Sequence, residues 1–420
     1  MKFRTQSLNF SILVFLLTLF VQADGQSKKN KVTQTRSLPT PQVRFVSGKS
    51  SLEIPFELSN NLILLQAKVN DSAPLWFIFD TGADSTVIDT ELAKTLRLKP
   101  GGKIVGNGGA GAAQAVRFKG VSMRLPNVEI DNQTVYGLPI GFFSSPLGKK
   151  ISGVIGNDVI KEFVVEVDYA ARKINLYKPE SYQYSGAGEI FPLMFEENLP
   201  FVQASVAFEK RAPISGKFEI DSGSTGAVLF NTPFVKKHGL LKSISQLSET
   251  RIGGVGGTAQ TFLGRVKYTA LGRFTLENPV ARFSQSTRGD YASPKYDGLI
   301  GGEILRRFRT IFDYSRKRMI LEPNALVSEP FEIDMSGMEL LADGDYFSIV
   351  LVDDVKPKSP AAEAGVRGGD IITAIDNRPV KDFTLEQIRE MFRQDGREYL
   401  LKLKRDGTEV QVKIKLRRLT

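Results

Sequence analysis

With 420 residues, no cysteine and one histidine, the chain excludes thiol nucleophiles, disulfides, thiolate zinc sites and any metal centre that needs two histidines. Its formal charge of +10 falls to +8 without residues 1–23, because Lys2 and Arg4 leave and no acid leaves with them. Acidic and basic residues are interleaved elsewhere, with no arginine-rich arm or aromatic-basic platform, so nucleic acid is not an expected partner.

The N-terminus reads as an export signal over residues 1–23. Lys2 and Arg4 precede an apolar run, Phe10 to Val21, and Val21-Gln22-Ala23 has the small residues a signal peptidase prefers. That run is short for a hydrocarbon core of about 30 Å, which leaves an uncleaved anchor as the alternative. An exported protein, periplasmic or secreted, is expected, and its cores must hold by packing without disulfides. Residues 24–48 are polar and basic and read as a disordered tether.

An internal repeat follows. Asn61-Leu62 and Gln66-Ala67-Lys68-Val69 recur 137 residues later as Asn198-Leu199 and Gln203-Ala204-Ser205-Val206. Gly153-Val154-Ile155-Gly156 answers to Gly298-Leu299-Ile300-Gly301, and Asp168-Tyr169 stands 145 residues before Asp313-Tyr314. Matched segments in one order indicate duplication, with copies over residues 49–182 and 183–325. Each copy reads as short strands separated by Gly, Pro, Asn and Asp. One helix per copy is predicted after the aspartate: Asp89 to Leu96, and Thr232 to Lys236 with Thr232 as cap and Pro233 at the first helical position. His238 closes the second helix, where the dipole favours it. Trp76 is expected in the core.

Each copy carries one aspartate in an apolar run: Phe77-Ile78-Phe79-Asp80-Thr81-Gly82-Ala83 and Phe218-Glu219-Ile220-Asp221-Ser222-Gly223-Ser224. Either triplet alone reads equally as a turn. Two carboxylates a few ångströms apart cannot both ionise cheaply, so such a pair holds one proton and can activate water with no metal or cofactor. Asp80 and Asp221 are the candidate catalytic pair. Thr81 and Ser222 are expected to brace the two loops through their hydroxyls, and Gly82 and Gly223 to admit close backbone approach.

These segments resemble the aspartic protease family, in particular its retropepsin-like branch. Phe79-Asp80-Thr81-Gly82-Ala83-Asp84-Ser85-Thr86-Val87-Ile88 is similar to the active-site segment of viral retropepsins. Val154-Ile155-Gly156 and Leu299-Ile300-Gly301 match the segments that thread beside it, with their glycines 76 and 80 residues after the aspartates. The resemblance implies a monomer that builds one cleft from two lobes. It also makes the glycine-rich segments flap hairpins over a bound peptide, with Gly108, Gly109 and Gly111 in one and Gly253, Gly254 and Gly256 in the other. An ordinary loop or a phosphate cradle is the rival reading, although no Gly-Lys-Ser/Thr follows either segment. Asp84 is implied as a contact to substrate backbone, with Ser224 in its place in the second copy. Asn157 and Gly302 stand where viral enzymes carry Arg.

After Pro323 the chain changes character, and residues 331–420 resemble a PDZ domain of the bacterial protease-associated type. Ser359-Pro360-Ala361-Ala362-Glu363-Ala364-Gly365 through Gly369-Asp370-Ile371-Ile372 carries the likeness. Thr384 to Gln387 form a capping box opening a helix Leu385–Arg393, and Asp406-Gly407 joins two strands. The resemblance places the loop for a peptide carboxylate at Gly337, Met338, Glu339 and Leu340.

The expected fold is mainly β: two pseudo-symmetric acid-protease β-barrel lobes followed by an α+β PDZ domain. The expected function is an exported aspartic endopeptidase acting on a peptide or protein substrate, with a C-terminal peptide as a further ligand of the PDZ domain. The alternative is a non-catalytic peptide-binding or scaffold protein using the cleft and the PDZ groove.

Overall fold

The computed structural model describes residues 17–18, 41–48 and 50–420. The predicted export signal and most of the tether therefore lie outside the described residues. Within them, Leu17–Thr18 pairs antiparallel with Asn107–Gly108. Gln42–Phe45, inside the predicted tether, is a strand pairing with Val128–Leu138. Its alternation explains the departure: Val43 packs against the core, and Phe45 is buried edge-on to the ring of Phe163 at 5.8 Å.

The two repeats fold alike. In the first, strand Leu75–Phe79 lies parallel to Ile151–Ile155, which in turn lies antiparallel to Val87–Asp89. In the second, Ile214–Asp221 lies parallel to Gly298–Gly301, which lies antiparallel to Val228–Phe230. Each aspartate thus ends a central strand, and the apolar-apolar-Gly segment of the same copy runs beside it. The first lobe begins its sheet with Ser50–Ser59 and Leu62–Val69. Leu62–Val69 is buried at four successive residues before alternation starts, because both of its faces are covered there. Leu62 and Leu64 join a cluster under the cleft with Ile78 and Val154, whereas Ile63 and Leu65 enter the main core.

The lobes share backbone as well as side chains. Strand Val164–Asp168 pairs antiparallel with Phe308–Asp313, so a single sheet runs Lys173–Tyr177, Val164–Asp168, Phe308–Asp313, Arg318–Pro323 and Glu189–Pro192 across the boundary. One apolar cluster extends from Ile54 and Val165 to Phe218 and Phe312. In the second lobe Phe218, Phe230, Phe234 and Phe283 form a ring cluster with centroids 5.2–6.1 Å apart, and truncating any one of them would cost about 3–5 kcal/mol.

Helix Thr90–Thr95 is capped by Asp89, whose carboxylate accepts the N–H groups of Glu91 and Leu92. Helix Thr232–His238 starts one residue earlier than expected. Asn231 is its N-cap by backbone geometry but gives no side-chain cap, since its amide donates to the carbonyls of Ser293 and Tyr296. The Thr232 hydroxyl donates to Ser284 instead. Trp76 is half-buried, with the Lys149 ammonium 4.2 Å over its ring.

The C-terminal domain has its own core around Val352, Ile372, Ile388, Phe392, Leu401 and Leu403. Its sheet runs Met338–Asp343, Ile349–Val355, Ile371–Ile375, Glu398–Arg405 and Thr408–Lys415. The Thr384–Gln387 capping box is present, and its helix ends at Met391. Asp406 and Gly407 both take positive φ, as the two-residue hairpin between Arg405 and Thr408 requires.

This domain is anchored to the second lobe through Arg307. Its fully buried guanidinium donates to the carbonyls of Leu326 and Glu329, pairs with Glu303 at 3.0 Å and lies 3.7 Å over the ring of Phe331. On the first lobe, the Asn60 N–H donates to Glu386 at 2.6 Å.

Candidate active site

Strands Leu75–Phe79 and Ile214–Asp221 deliver Asp80 and Asp221 to one place, both with no exposed surface. Two tight loops hold them in the same way, related by a pseudo-two-fold rotation. Asp80 Oδ1 accepts the Gly82 N–H at 2.7 Å, and Asp221 Oδ1 accepts the Gly223 N–H at 2.8 Å. A Cβ on Gly82 would lie 2.5 Å from Asp221 Oδ1, and one on Gly223 would fall inside van der Waals contact of the Asp80 carboxyl. Glycine is needed at both positions because each loop's backbone rests against the other loop's carboxyl.

Beneath the carboxyls, Thr81 and Ser222 exchange bonds across the lobe boundary. The Thr81 hydroxyl donates to the Ile220 carbonyl at 2.7 Å and accepts the Ser222 N–H at 3.0 Å. The Ser222 hydroxyl donates to the Phe79 carbonyl at 3.0 Å and accepts the Thr81 N–H at 3.0 Å. All four groups are buried and satisfied, which fixes the two loops relative to each other. Further out, the Asn157 amide donates to the Thr81 carbonyl at 2.6 Å and is itself oriented by the Tyr314 hydroxyl at 2.9 Å.

Burial pushes the Asp80 carboxyl up to about 7. Burial also raises Asp221 far above the usual carboxylate range, and the negative charges of Asp80 and Glu219 add to it. Each carboxyl acts on the other, so the pair titrates as a unit and holds one proton between its members. Their Oδ2 atoms are buried without a hydrogen-bond partner.

The glycine-rich segments are hairpins that close over this pair. Gly108 faces Gly111 in one, and Gly254 faces Gly257 in the other, with Gly253 one step back opposite Thr258. Their tips cross: the Ala110 N–H donates to the Val255 carbonyl at 3.4 Å, and Gly256, at φ +88°, lies against the backbone of Gly111 too closely for any Cβ. Val255 is buried in the first lobe's cluster with Leu62 and Ile78, while Ala110 is buried in the second lobe's with Leu229, Tyr291 and Leu299. Gly109 lies against the ring of Tyr291, and its carbonyl accepts the Tyr291 N–H at 3.2 Å.

The hydrogen bonds set the pseudo-symmetry and correct one register. Asn157 N–H donates to the Ala83 carbonyl and Gly302 N–H to the Ser224 carbonyl, so Ser224 matches Ala83. Asp84 then matches Thr225: the Asn198 amide donates to Asp84 at 2.7 Å, and the Asn61 amide donates to the Thr225 carbonyl at 2.8 Å. Asp84 is buried at the lobe boundary with both oxygens already engaged, Oδ1 by the Asn198 amide and Oδ2 by the Ser85 hydroxyl.

Two residues that reasoning from the motif did not single out stand beside the pair. The Tyr291 hydroxyl is buried without a partner, within the field of Asp221. Glu219, two residues before Asp221, has no exposed surface and neither carboxylate oxygen has a partner. An acid inside an apolar strand that leads to a candidate catalytic residue was the available signal. Among the described residues, no group of three or more His, Asp or Glu side chains is placed to hold a metal ion.

Residues 65–159 match the aspartyl protease family and residues 351–405 the PDZ domain family. The chain carries an aspartyl protease domain and a PDZ domain. The aspartyl protease match includes Asp80; Asp221 lies beyond it. A crystal structure of an aspartic proteinase from Irpex lacteus resembles this chain with a TM-score of 0.43 and 11% identity, covering 67% of this chain and 99% of its own. Over 65 residues the chain is 35% identical to the periplasmic serine endoprotease DegP of Escherichia coli K12, and equally to that of strain O157:H7. That stretch is 16% of this chain and spans only 14% of each relative's length.

In the PDZ domain, the N–H groups of Gly337 and Met338 are already used: Gly337 donates to Asp334 Oδ1 and Met338 to Ser336 Oγ, both at 3.0 Å. Glu339 and Leu340 lie in strand Met338–Asp343, which pairs on one side with Ile349–Val355. The helical turn Ser144–Leu147 of the first lobe packs against the same strand. A Cβ at Gly148 would lie 3.6 Å from the Cβ atoms of both Ala342 and Leu385.

Proposed function

We propose that the chain is an aspartic endopeptidase in which Asp80 and Asp221 hydrolyse peptide bonds through one activated water. The observation that carries this reading is the reciprocal bracing of two buried carboxyls, with each loop's glycine against the other loop's acid. Asp80, as the charged member of the pair, takes a proton from the water as it attacks the carbonyl carbon. Asp221 donates to the developing oxyanion, and the proton taken from water passes to the leaving nitrogen. Thr81 and Ser222 act through position alone, by holding the carboxyls at their separation.

The crossed hairpins support a cleft that opens for an extended polypeptide and shuts out water when closed. Asp84 and the hairpin glycines are suited to receive the substrate backbone. The site forms within a monomer, since both halves come from one chain. Export fits the composition of residues 1–23. The PDZ domain is proposed to take a polypeptide, C-termini included, at the free side of Met338–Asp343, which requires the Ser144–Leu147 turn to move away.

The test is cleavage of a peptide library by the full chain from pH 4 to 8, beside Asp80→Asn, Asp221→Asn and the double variant. Wild-type cleavage lost in each variant, with folding retained by circular dichroism, supports the reading. Equal cleavage by the double variant, or none by wild type, overturns it and leaves peptide binding without turnover as the alternative.

A further inference from the structure

Strand Ile214–Asp221 has two faces. Phe218 and Ile220 enter the main core, so Glu219 and Asp221 share the opposite face, toward the cleft. The cross-strand partners of Glu219 are Phe201 and Leu299. The Phe201 ring lies tilted against that of Tyr296 at 5.1 Å, and Leu299 belongs to the cluster that holds the hairpin tip Ala110 and Tyr291. Glu219 therefore lies on the floor of the closed cleft, between apolar walls and next to the aspartate pair.

Among the described residues, no cation answers it. Lys217, the preceding residue on that face, pairs with Glu196 and lies 4.6 Å over the Phe201 ring. The charges that act most on Glu219 are acidic, those of Asp290, Asp80 and Glu196. Neither Glu219 oxygen has a hydrogen-bond partner. A buried carboxyl with idle oxygens is costly, and buried acids are normally paired.

The matching position of the first lobe is apolar. Ile78 stands two residues before Asp80, and its cross-strand partners are Leu64 and Val154. They share a cluster with Leu62, Val87 and the other hairpin tip, Val255. One side of the aspartate pair thus has an acidic floor and the other an aliphatic one.

We infer that Glu219 is the base of a subsite for the Lys or Arg side chain of a polypeptide, at a residue flanking the scissile bond, while the Ile78 side takes an apolar side chain. This rests on the peptidase reading above, of which it specifies the substrate. An incoming ammonium or guanidinium supplies the partner that Glu219 lacks, in a water-excluded setting where charge-assisted bonds are strong. The apolar walls formed by Phe201, Tyr296 and Leu299 cover the aliphatic stem of such a side chain.

The experiment is calorimetry on the full chain with two uncleavable peptide isosteres that differ only by lysine or norleucine beside the scissile position. Wild type binds the lysine isostere about tenfold tighter or more. Glu219→Gln abolishes that preference, and Glu219→Leu reverses it. Lysine binding also releases a proton that norleucine binding does not, seen as an enthalpy that depends on the buffer. Equal affinity of wild type for both isosteres, binding of neither, or a lysine preference kept in Glu219→Gln overturns the subsite. Cleavage of the matched cleavable peptides separates the two readings. Turnover without lysine preference sinks the subsite alone, and lysine-dependent binding without turnover sinks catalysis alone.

Discussion

Thr81 and Ser222 each give a hydroxyl proton to the other lobe's strand and accept the other's backbone N–H, so four hydrogen bonds of 2.7–3.0 Å cross the lobe boundary under the aspartate pair. Thr81→Val removes two of them and leaves a buried N–H and a buried carbonyl unpaired, a loss of about 2–4 kcal/mol in stability. Ser222→Ala behaves alike. Because the residues share one network, the double variant loses less than the sum of the singles. Urea titrations of the four proteins measure that coupling, and strict additivity would show that the network is not a unit.

Gly82→Ala and Gly223→Ala drive a methyl group into the opposite carboxyl. The pair must separate, and a misplacement of about 1 Å at reacting groups costs on the order of 100-fold in rate. Peptide turnover falls at least that far in either variant. A control change at Gly407, an exposed hairpin residue with φ +85°, lowers stability and leaves turnover intact.

The pair also sets a pH dependence whose sign follows from burial. Burial raises Asp80 to about 7 and raises Asp221 as well, so kcat/KM is limited at low pH by a double-protonated pair, and its acid limb lies well above the ordinary carboxylate range near 4. Activity at pH 4 is therefore lower than at pH 7. An acid limb centred near 4 would contradict this reading.

Stability runs the other way. Burial also raises Asp158 to about 7 and Asp334 to about 6. The folded protein keeps protons on these carboxyls and on Asp80 that the unfolded chain releases near pH 4. Their contribution is full below that pH and is lost as pH rises through about 6 to 7. Thermal melts from pH 4 to 8 test it: the Asp80→Asn/Asp221→Asn variant gains on wild type as pH rises, and a constant difference between them refutes the linkage.

Arg307 makes a fifth case. Its replacement by Met leaves the Glu329 carbonyl without a donor, takes one of two donors from the Leu326 carbonyl and frees one bond of Glu303. A loss of about 3–5 kcal/mol is expected for breaking such a buried pair. The loss comes with faster proteolysis at residues 324–330, where the PDZ domain joins. Unchanged protease resistance would show that this joint is held elsewhere.

The aspartates and their bracing residues were legible because their signal is local: a triplet in an apolar run, repeated in register. The capping box at Thr384 and the turn at Asp406-Gly407 were legible for the same reason. Glu219 was not, since its meaning depends on which strand face it occupies and on Phe201 and Leu299, 18 and 80 residues away. The cap position at Asn231 was missed because the Asn231 side chain makes no local cap, its amide being held by the carbonyls of Ser293 and Tyr296. Strand Gln42–Phe45 was read by composition as tether, although Val43 and Phe45 carried an alternation too short to stand out. The seating of the PDZ domain on the first lobe joins residues 326 apart in sequence, and nothing local announces it.

The exchanged hairpin tips have a kinetic meaning. Val255 is held in the first lobe and Ala110 in the second, so neither hairpin can lift without stripping the other of its cover. On the proposed peptidase reading, admission to the cleft is then one concerted event with one barrier. A slack, extended chain can exploit each brief opening, whereas a compact folded protein arrives with nothing thin enough to insert before the gate shuts.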